Sequence, residues 1–264
     1  MFLFRTWITT GRLTTWAASL LLGVWSPLGA QTLQPFSTAP ADGLPASWRL
    51  IGLPKGKAPL AVIELATLGN ERVLKLATNK SYGTLLHELK PVVLGAASSL
   101  TWRWRLDQGV EAADLKVKEG DDAPLKVCAM FDMPLDKLGF LERNVLRLAR
   151  SVSGEKLPAA TLCYVWDQKL PVGTFLPNAY SPRLRFIVLD SGDRKLGQWV
   201  AHTRDLAADL QRAFGHEFVT PPPLVAIVVG ADSDNTQGTS LAYLGDVSLT
   251  VKPSDVSLTV KPSE

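Results

Sequence analysis

Histidine and cysteine are nearly missing from this chain, with three His and two Cys among 264 residues. So few strong ligands leave little from which to build a zinc centre, and there is no C-x-x-C pair for thiol–disulfide chemistry. His87, His202 and His216 are scattered through separate segments, so each reads as a polar or capping residue. G-x-S-x-G and H-E-x-x-H are absent as well. GLPKGK at 52–57 is one residue short of a phosphate-binding loop and lacks the Ser or Thr that should follow. Ser153-Gly-Glu-Lys156 fits S-x-x-K, but it follows a helical segment where that chemistry needs it to open one. An excess of one charge is also lacking. The net charge is +3, without the broad basic field that nucleic-acid binding uses.

Long apolar runs are scarce too, and the one that stands out is at the start. Arg5 and Arg12 precede thirteen apolar-rich residues, Leu13 to Trp25, followed by Pro27 and the small pair Gly29-Ala30. A spanning helix needs about 20 apolar residues. Residues 1–30 are therefore expected to form a secretory signal peptide, with the mature protein in the periplasm. An uncleaved anchor is the alternative, since Leu28 stands where a small residue is preferred. No Cys follows the run, which argues against a lipoprotein. Cleavage would remove two Arg and no acid, taking the charge from +3 to +1.

What is present is β-type sequence. After an irregular lead-in at 31–44 come eleven short runs separated by turn signals: SWRLIGL, LAVIELATLG, RVLKLAT, TLLHELK, SLTWRWRL, LKVCAMFD, ATLCYVWD, RLRFIVLDSG, QWVAHTR, LVAIVVGAD and LAYLGDVSLTV. That spacing predicts an all-β, antiparallel sandwich of jelly-roll type in a single domain over 45–254. In SLTWRWRL, alternation puts Trp102, Trp104 and Leu106 on one face and Arg103 and Arg105 on the other. Two stretches carry helical spacing. In PLDKLGFLERNVLRLARSV the apolar residues are Leu135, Leu138, Leu141, Val145 and Leu148; in RDLAADLQRAFG they are Leu206, Leu210 and Phe214, with Gly215 as cap. The first helix is basic enough to suggest an anionic membrane surface, but Asp136 and Glu142 dilute it. DVSLTVKPS occurs at 246–254 and again at 255–263, so the segment 255–264 is expected to be a redundant tail.

Cys128 and Cys163 both lie in apolar strand runs, 35 residues apart. An oxidising compartment permits a disulfide, yet two buried thiols are the default without geometry. Asp121 and Asp122 precede a strand, and Asp232, Asp234 and Asn235 crowd the stretch GADSDN. With Asp232 as position one of an EF-hand, Gln237 occupies the glycine position and Tyr243 the glutamate position, so that loop type is excluded. Asp232, Asp234 and Asp246 remain candidate calcium ligands, with Asp121 and Asp122 able to join them. A plain turn is the preferred reading. Trp48, Trp102, Trp104, Tyr164, Trp166, Trp199 and Tyr243 lie in or beside strands. A ring on an exposed sheet face can stack on a sugar, whereas one on the inner face is core.

LTWRWRL, GDD before an apolar strand, LCYVW, a strand ending in DSG, GQWV with RDLAADLQRAFG, and ADSDN with AYLGDVSL follow one another in this order. On these motifs the chain resembles, over about residues 45–250, the bacterial exported family catalogued as domain of unknown function 3047. The resemblance implies a periplasmic β domain and brings no established activity. Two departures are visible: Ala123-Pro-Leu-Lys-Val-Cys replaces an Arg-Val-Tyr type strand, and Leu244-Gly-Asp replaces a Tyr-Gly-Asp ending. More distantly, Trp199 with Arg204-Asp-Leu, and Ala242-Tyr with Asp246-Val, are similar to carbohydrate-binding (galactose-binding-like) jelly rolls. That similarity makes Asp246 structural or ion-linked.

The combined expectation is an exported, non-catalytic binding module for a glycan or cell-envelope polymer. Trp102, Trp104, Arg103, Tyr164, Trp166, Asp121 and Asp122 are the candidate ligand contacts, and no residue is assigned to catalysis. No cofactor is implied beyond calcium at Asp232, Asp234 and Asp246. The alternatives are a carboxylate-dependent, glycosidase-like hydrolase using Asp121 or Asp122, and a structural partner in an envelope complex, which would show a large exposed apolar patch.

Overall fold

The structure, a computed structural model, describes residues 33–40, 43–135, 138–153 and 158–252. The expected signal segment at 1–30, the second DVSLTVKPS copy and Lys156 of the S-x-x-K string lie outside the described residues. In chain order the elements are β1 (Trp48–Ile51), β2 (Val62–Leu68), β3 (Glu71–Asn79), β4 (Tyr82–Val92), β5 (Ser99–Gln108), β6 (Leu125–Phe131), α1 (Phe140–Ser153), β7 (Ala160–Asp167), β8 (Phe175–Pro177), β9 (Leu184–Ser191), β10 (Val200–Asp205), α2 (Leu206–Phe214), β11 (Leu224–Asp232), β12 (Thr239–Leu244) and β13 (Ser248–Thr250).

The strands form two sheets, ordered β1-β4-β11-β6-β7-β9-β8 and β10-β5-β12-β3-β2, with β13 pairing β5. This is the expected all-β sandwich. Neighbouring strands are antiparallel except β7 and β9, which run parallel. The expected run LAYLGDVSLTV splits at Gly245-Asp246 into β12 and β13, and β8 was not legible as a strand because it is only three residues long.

The core lies between the sheets, and the alternation of β5 dictates what fills it. Trp102, Trp104 and Leu106 are 2%, 0% and 0% exposed, while Arg103 and Arg105 point away. Tyr164 and Trp166 of β7 meet these rings from the other sheet, at 5.2 Å for Trp102–Tyr164 and 6.2 Å for Trp104–Trp166. Close-packed rings of this kind contribute more than their buried area alone. α2 fulfils its pattern: Leu206, Leu210 and Phe214 are fully buried, and Asp205 caps the first turn by accepting the Ala208 amide at 3.0 Å. Its C-cap Gly215 is right-handed (φ −58°), so the chain runs on into a short 3-10 turn.

Two expectations need correction. In α1, Leu148 is 66% exposed while Leu146 is buried. The helix starts only at Phe140, so Leu135 and Leu138 belong to the preceding turn and the expected stripe is broken. Cys128 and Cys163 are not free thiols but a disulfide, because β6 and β7 set them directly opposite each other. The lead-in is irregular yet anchored: Phe36 is fully buried against Trp48, and Ser37 donates from its amide and hydroxyl to Asp246.

Candidate ligand-binding site

Strand alternation gives the larger sheet a second, outer face. Leu86, Val228, Cys128, Cys163 and Phe186 are register partners across β4, β11, β6, β7 and β9, so they form one row. The next row contains Thr84, Gly230, Lys126 and Val165, and beyond it Tyr82 pairs with Asp232. Above these rows runs a groove of about 710 Å³, with the disulfide in its floor. Gly230 leaves no side chain in the second row, and none would fit: a Cβ there would meet Thr84 Cγ2 at 2.5 Å and the Gly83 carbonyl at 2.6 Å. A volume of this size falls within the range of small-ligand sites, which run roughly 300–1,000 Å³.

Polar groups converge at one end. Lys126 donates to Asp232 Oδ2 at 2.6 Å, and its ammonium lies 4.9 Å from the Tyr82 ring centre. Asp232 Oδ1 accepts the Ala123 amide at 2.7 Å. Burial opposes the charged form of Lys126, but Asp232 and Tyr82 outweigh it and hold the ammonium above its ordinary pKa. Beside this pair Asp121 accepts from Asn178 Nδ2 at 2.5 Å. Burial lifts the Asp121 carboxyl to about 6, with the Asp232 charge pushing the same way and Asn178 and Lys126 opposing.

The loop that presents Asp121 is fixed from both ends. Gly120 packs so close to Asp114 that a Cβ would fall 2.9 Å from its backbone nitrogen and oxygen. Asp122 is 1% exposed and accepts the amides of Asn235 and Thr236 at 3.1 and 2.7 Å, as well as the Thr236 hydroxyl. Asn235 Nδ2 donates to the Asp121 carbonyl at 3.0 Å. The two acidic stretches therefore do meet, through hydrogen bonds.

The candidate contacts separate into different places. Trp102, Trp104, Tyr164 and Trp166 sit between the sheets and offer no face to a ligand, which corrects the expectation of an aromatic platform at those positions. The β5 and β7 alternation that makes them conspicuous is what buries them. Arg103 lies on the outer face of the smaller sheet, paired with Glu71 at 2.5 Å and stacked over Trp199 at 4.7 Å. It borders a shallower depression of about 570 Å³ there. Asp121 lines the groove, and Asp122 supports it from behind.

The candidate calcium set is not assembled either. Asp232 is tied to Lys126, whereas Asp246 holds Ser37 beside Arg103 on the other sheet. Among the described residues no group of three or more His, Cys, Asp or Glu side chains could hold a metal ion. Lys126, Asn178 and Tyr82 were missed from sequence. The signal for Lys126 was present, because K-V-C-A-M puts Lys126, Cys128 and Met130 on one strand face. Asn178 has no such signal, since it reaches the site from a loop.

Among solved structures, the chain is similar to the xyloglucanase domain of NopAA from Sinorhizobium fredii, at 9% identity and TM-score 0.45, covering 86% of this chain and all of that one. It is also similar to endoglucanase 3 of family GH12 from Trichoderma harzianum, at 8% identity and TM-score 0.43 over 81% of this chain and 100% of that one. A third is the family 11 carbohydrate-binding module from Clostridium thermocellum, at 8% identity and TM-score 0.39 over 87% and 99%. No protein of curated function matches the sequence. Residues 46–248 match the family described as protein of unknown function (DUF3047), and the chain belongs to that family.

Proposed function

We propose that the protein is a periplasmic, non-catalytic binding module whose groove on the outer face of the larger sheet takes a glycan or another hydroxyl-rich envelope polymer. One observation carries this reading: Asp121, Asn178, Lys126 and Asp232 converge at one end of a groove of about 710 Å³. Carboxylates, amides and ammonium groups are the partners that hydroxyls need, and a few of them on an otherwise apolar wall fix a ligand's orientation. Export is supported by the apolar segment after Arg5 and Arg12 and by the disulfide, which belongs to oxidising compartments.

The hydrolase reading draws on the lifted Asp121, a property that suits an acid catalyst. A two-carboxylate mechanism needs a second acid, however. At this end of the groove, Asp232 is held by Lys126 and the Ala123 amide, and Asp122 is committed to the 235–236 turn. Binding is therefore the better reading.

The test is calorimetric titration of wild type, Asn178→Ala and Asp121→Asn with a panel of envelope oligosaccharides. Wild type should bind at least one, and Asn178→Ala should weaken that binding about tenfold, the equivalent of one hydrogen bond. Absence of binding across the panel would sink the proposal, and release of shorter sugars would replace it with the hydrolase.

A further inference from the structure

The floor of the groove is aliphatic where a sugar-stacking surface would be aromatic. Its lining includes Leu86, Val228, Met130 and the Cys128–Cys163 disulfide, with Ala226 and Leu184 beside them. Two aromatic rings border it: Phe186 is 3% exposed, and Tyr82 carries the Lys126 ammonium over one face. From Lys126 to Asp132, both of which line the groove, β6 and the residue after it run past the whole floor, a span of about 20 Å at the usual rise per residue. Lys126, Asp232, Asp121 and Asn178 gather at one end, and Glu88, Thr161 and Asp132 line the groove toward the other. The row between them, Leu86, Val228, Cys128, Cys163 and Phe186, carries only carbon and sulfur. A bare oligosaccharide would leave the hydroxyls above the middle unpaired, which is costly once they leave water.

We propose that the occupant is amphipathic: a saccharide carrying an aliphatic chain, with its hydroxyl head at Asp121, Asn178 and Lys126 and its chain along the disulfide floor. This rests on the groove being the binding site, as proposed above, and it narrows the ligand from glycans in general to lipid-linked ones. Soft, unbranched Met130 and the two sulfurs suit a flexible chain, since they adapt their contacts to irregular shapes.

The experiment compares maltose, octyl maltoside and dodecyl maltoside, each below its micellar concentration, by calorimetry on the full exported chain. Each buried methylene should tighten binding by about fourfold. Ala226→Phe, which fills the middle of the groove, should abolish that chain-length gain. Met130→Lys, at a half-exposed position, should do the same by placing a charge beside the chain, and it covers the case in which Ala226→Phe fails to fold. Sugar binding with no gain from the alkyl chain would overturn this inference and leave the groove reading standing. Chain-length gain that survives both substitutions would place the ligand elsewhere and overturn both. Lack of binding by all three probes, in a protein that still binds envelope oligosaccharides, would also overturn the amphipathic ligand.

Discussion

Asp122 accepts the Thr236 amide at 2.7 Å, joining the loop before β6 to the turn after β11 across 114 residues of sequence. The same carboxylate holds the Asn235 amide and the Thr236 hydroxyl, and it is almost fully buried. Asp122→Ala takes the acceptor from two half-buried amides and a hydroxyl, each worth about 1 kcal/mol or more when bonded to a charged group. We expect a loss of about 3 kcal/mol in urea unfolding, with Asp122→Asn recovering part of it. Asp121 sits on the same loop, so ligand affinity should fall along with stability. Unchanged stability in Asp122→Ala would show that this contact is not a strut.

The disulfide gives a second prediction. Cys128 and Cys163 close a loop with a sequence separation of 35, and the chain-entropy account assigns such a loop about 4 kcal/mol. The double variant Cys128→Ser, Cys163→Ser, or the reduced wild type, should unfold at a correspondingly lower denaturant concentration. Because the two sulfurs form the groove floor, the same variant should also weaken any ligand lying there. A variant as stable as wild type would mean that the bond adds nothing beyond packing.

The sheets were legible from the sequence because β residues alternate where one face is wet. β5 shows this most plainly, with Trp102 and Trp104 inward and Arg103 and Arg105 outward. The groove was harder to see because a strand that helps floor it is buried on both faces. β7 is buried along its whole length, so its sequence has no alternation from which to tell Cys163 on the groove face from Tyr164 in the core. Conspicuous tryptophans pointed to a platform, yet large rings are what a sandwich core takes first. That GDD and GADSDN could meet was legible as two acidic turns able to converge, but not how they would be joined. That a carboxylate binds amides there, and not a metal, depends on backbone direction, which composition does not carry.

A third prediction concerns Asp190, which is fully buried and accepts from Trp104 Nε1 at 2.8 Å, His202 Nε2 at 2.7 Å and Lys195 Nζ at 2.6 Å. Burial alone would raise its pKa, but His202, Lys195 and Trp104 outweigh that and hold the carboxyl below its ordinary range. The lowered folded value means that the Asp190 contribution is present above about pH 4, the unfolded value, and is lost as acid protonates the folded carboxyl. Asp190→Ala should cost about 1–3 kcal/mol, since it leaves the buried Trp104 indole N–H without its acceptor. Trp104 emission should shift with it. Asp190→Asn should flatten the acid limb of the stability curve, and an unchanged acid limb would rule out this linkage.

Asp121 has the opposite sign, which makes it the sharper test of the groove. Its carboxyl is lifted to about 6 by burial, with the charge of Asp232 adding to the effect, while an unfolded Asp titrates near about 4. The folded protein thus binds a proton that the unfolded chain has already lost, so this group lowers stability as pH rises from about 4 to about 6. Asp121→Asn removes the ionisation and keeps an oxygen to accept from Asn178. Relative to wild type, the variant should therefore be more stable at pH 7 than at pH 4, with the difference opening across that window. A head group that donates hydroxyls to the ionised carboxylate should bind more tightly above pH 6 in wild type, and Asp121→Asn should lose that dependence. A carboxyl shift followed by NMR reads the titration directly; a midpoint near 4 would place Asp121 in open water and remove it from the groove.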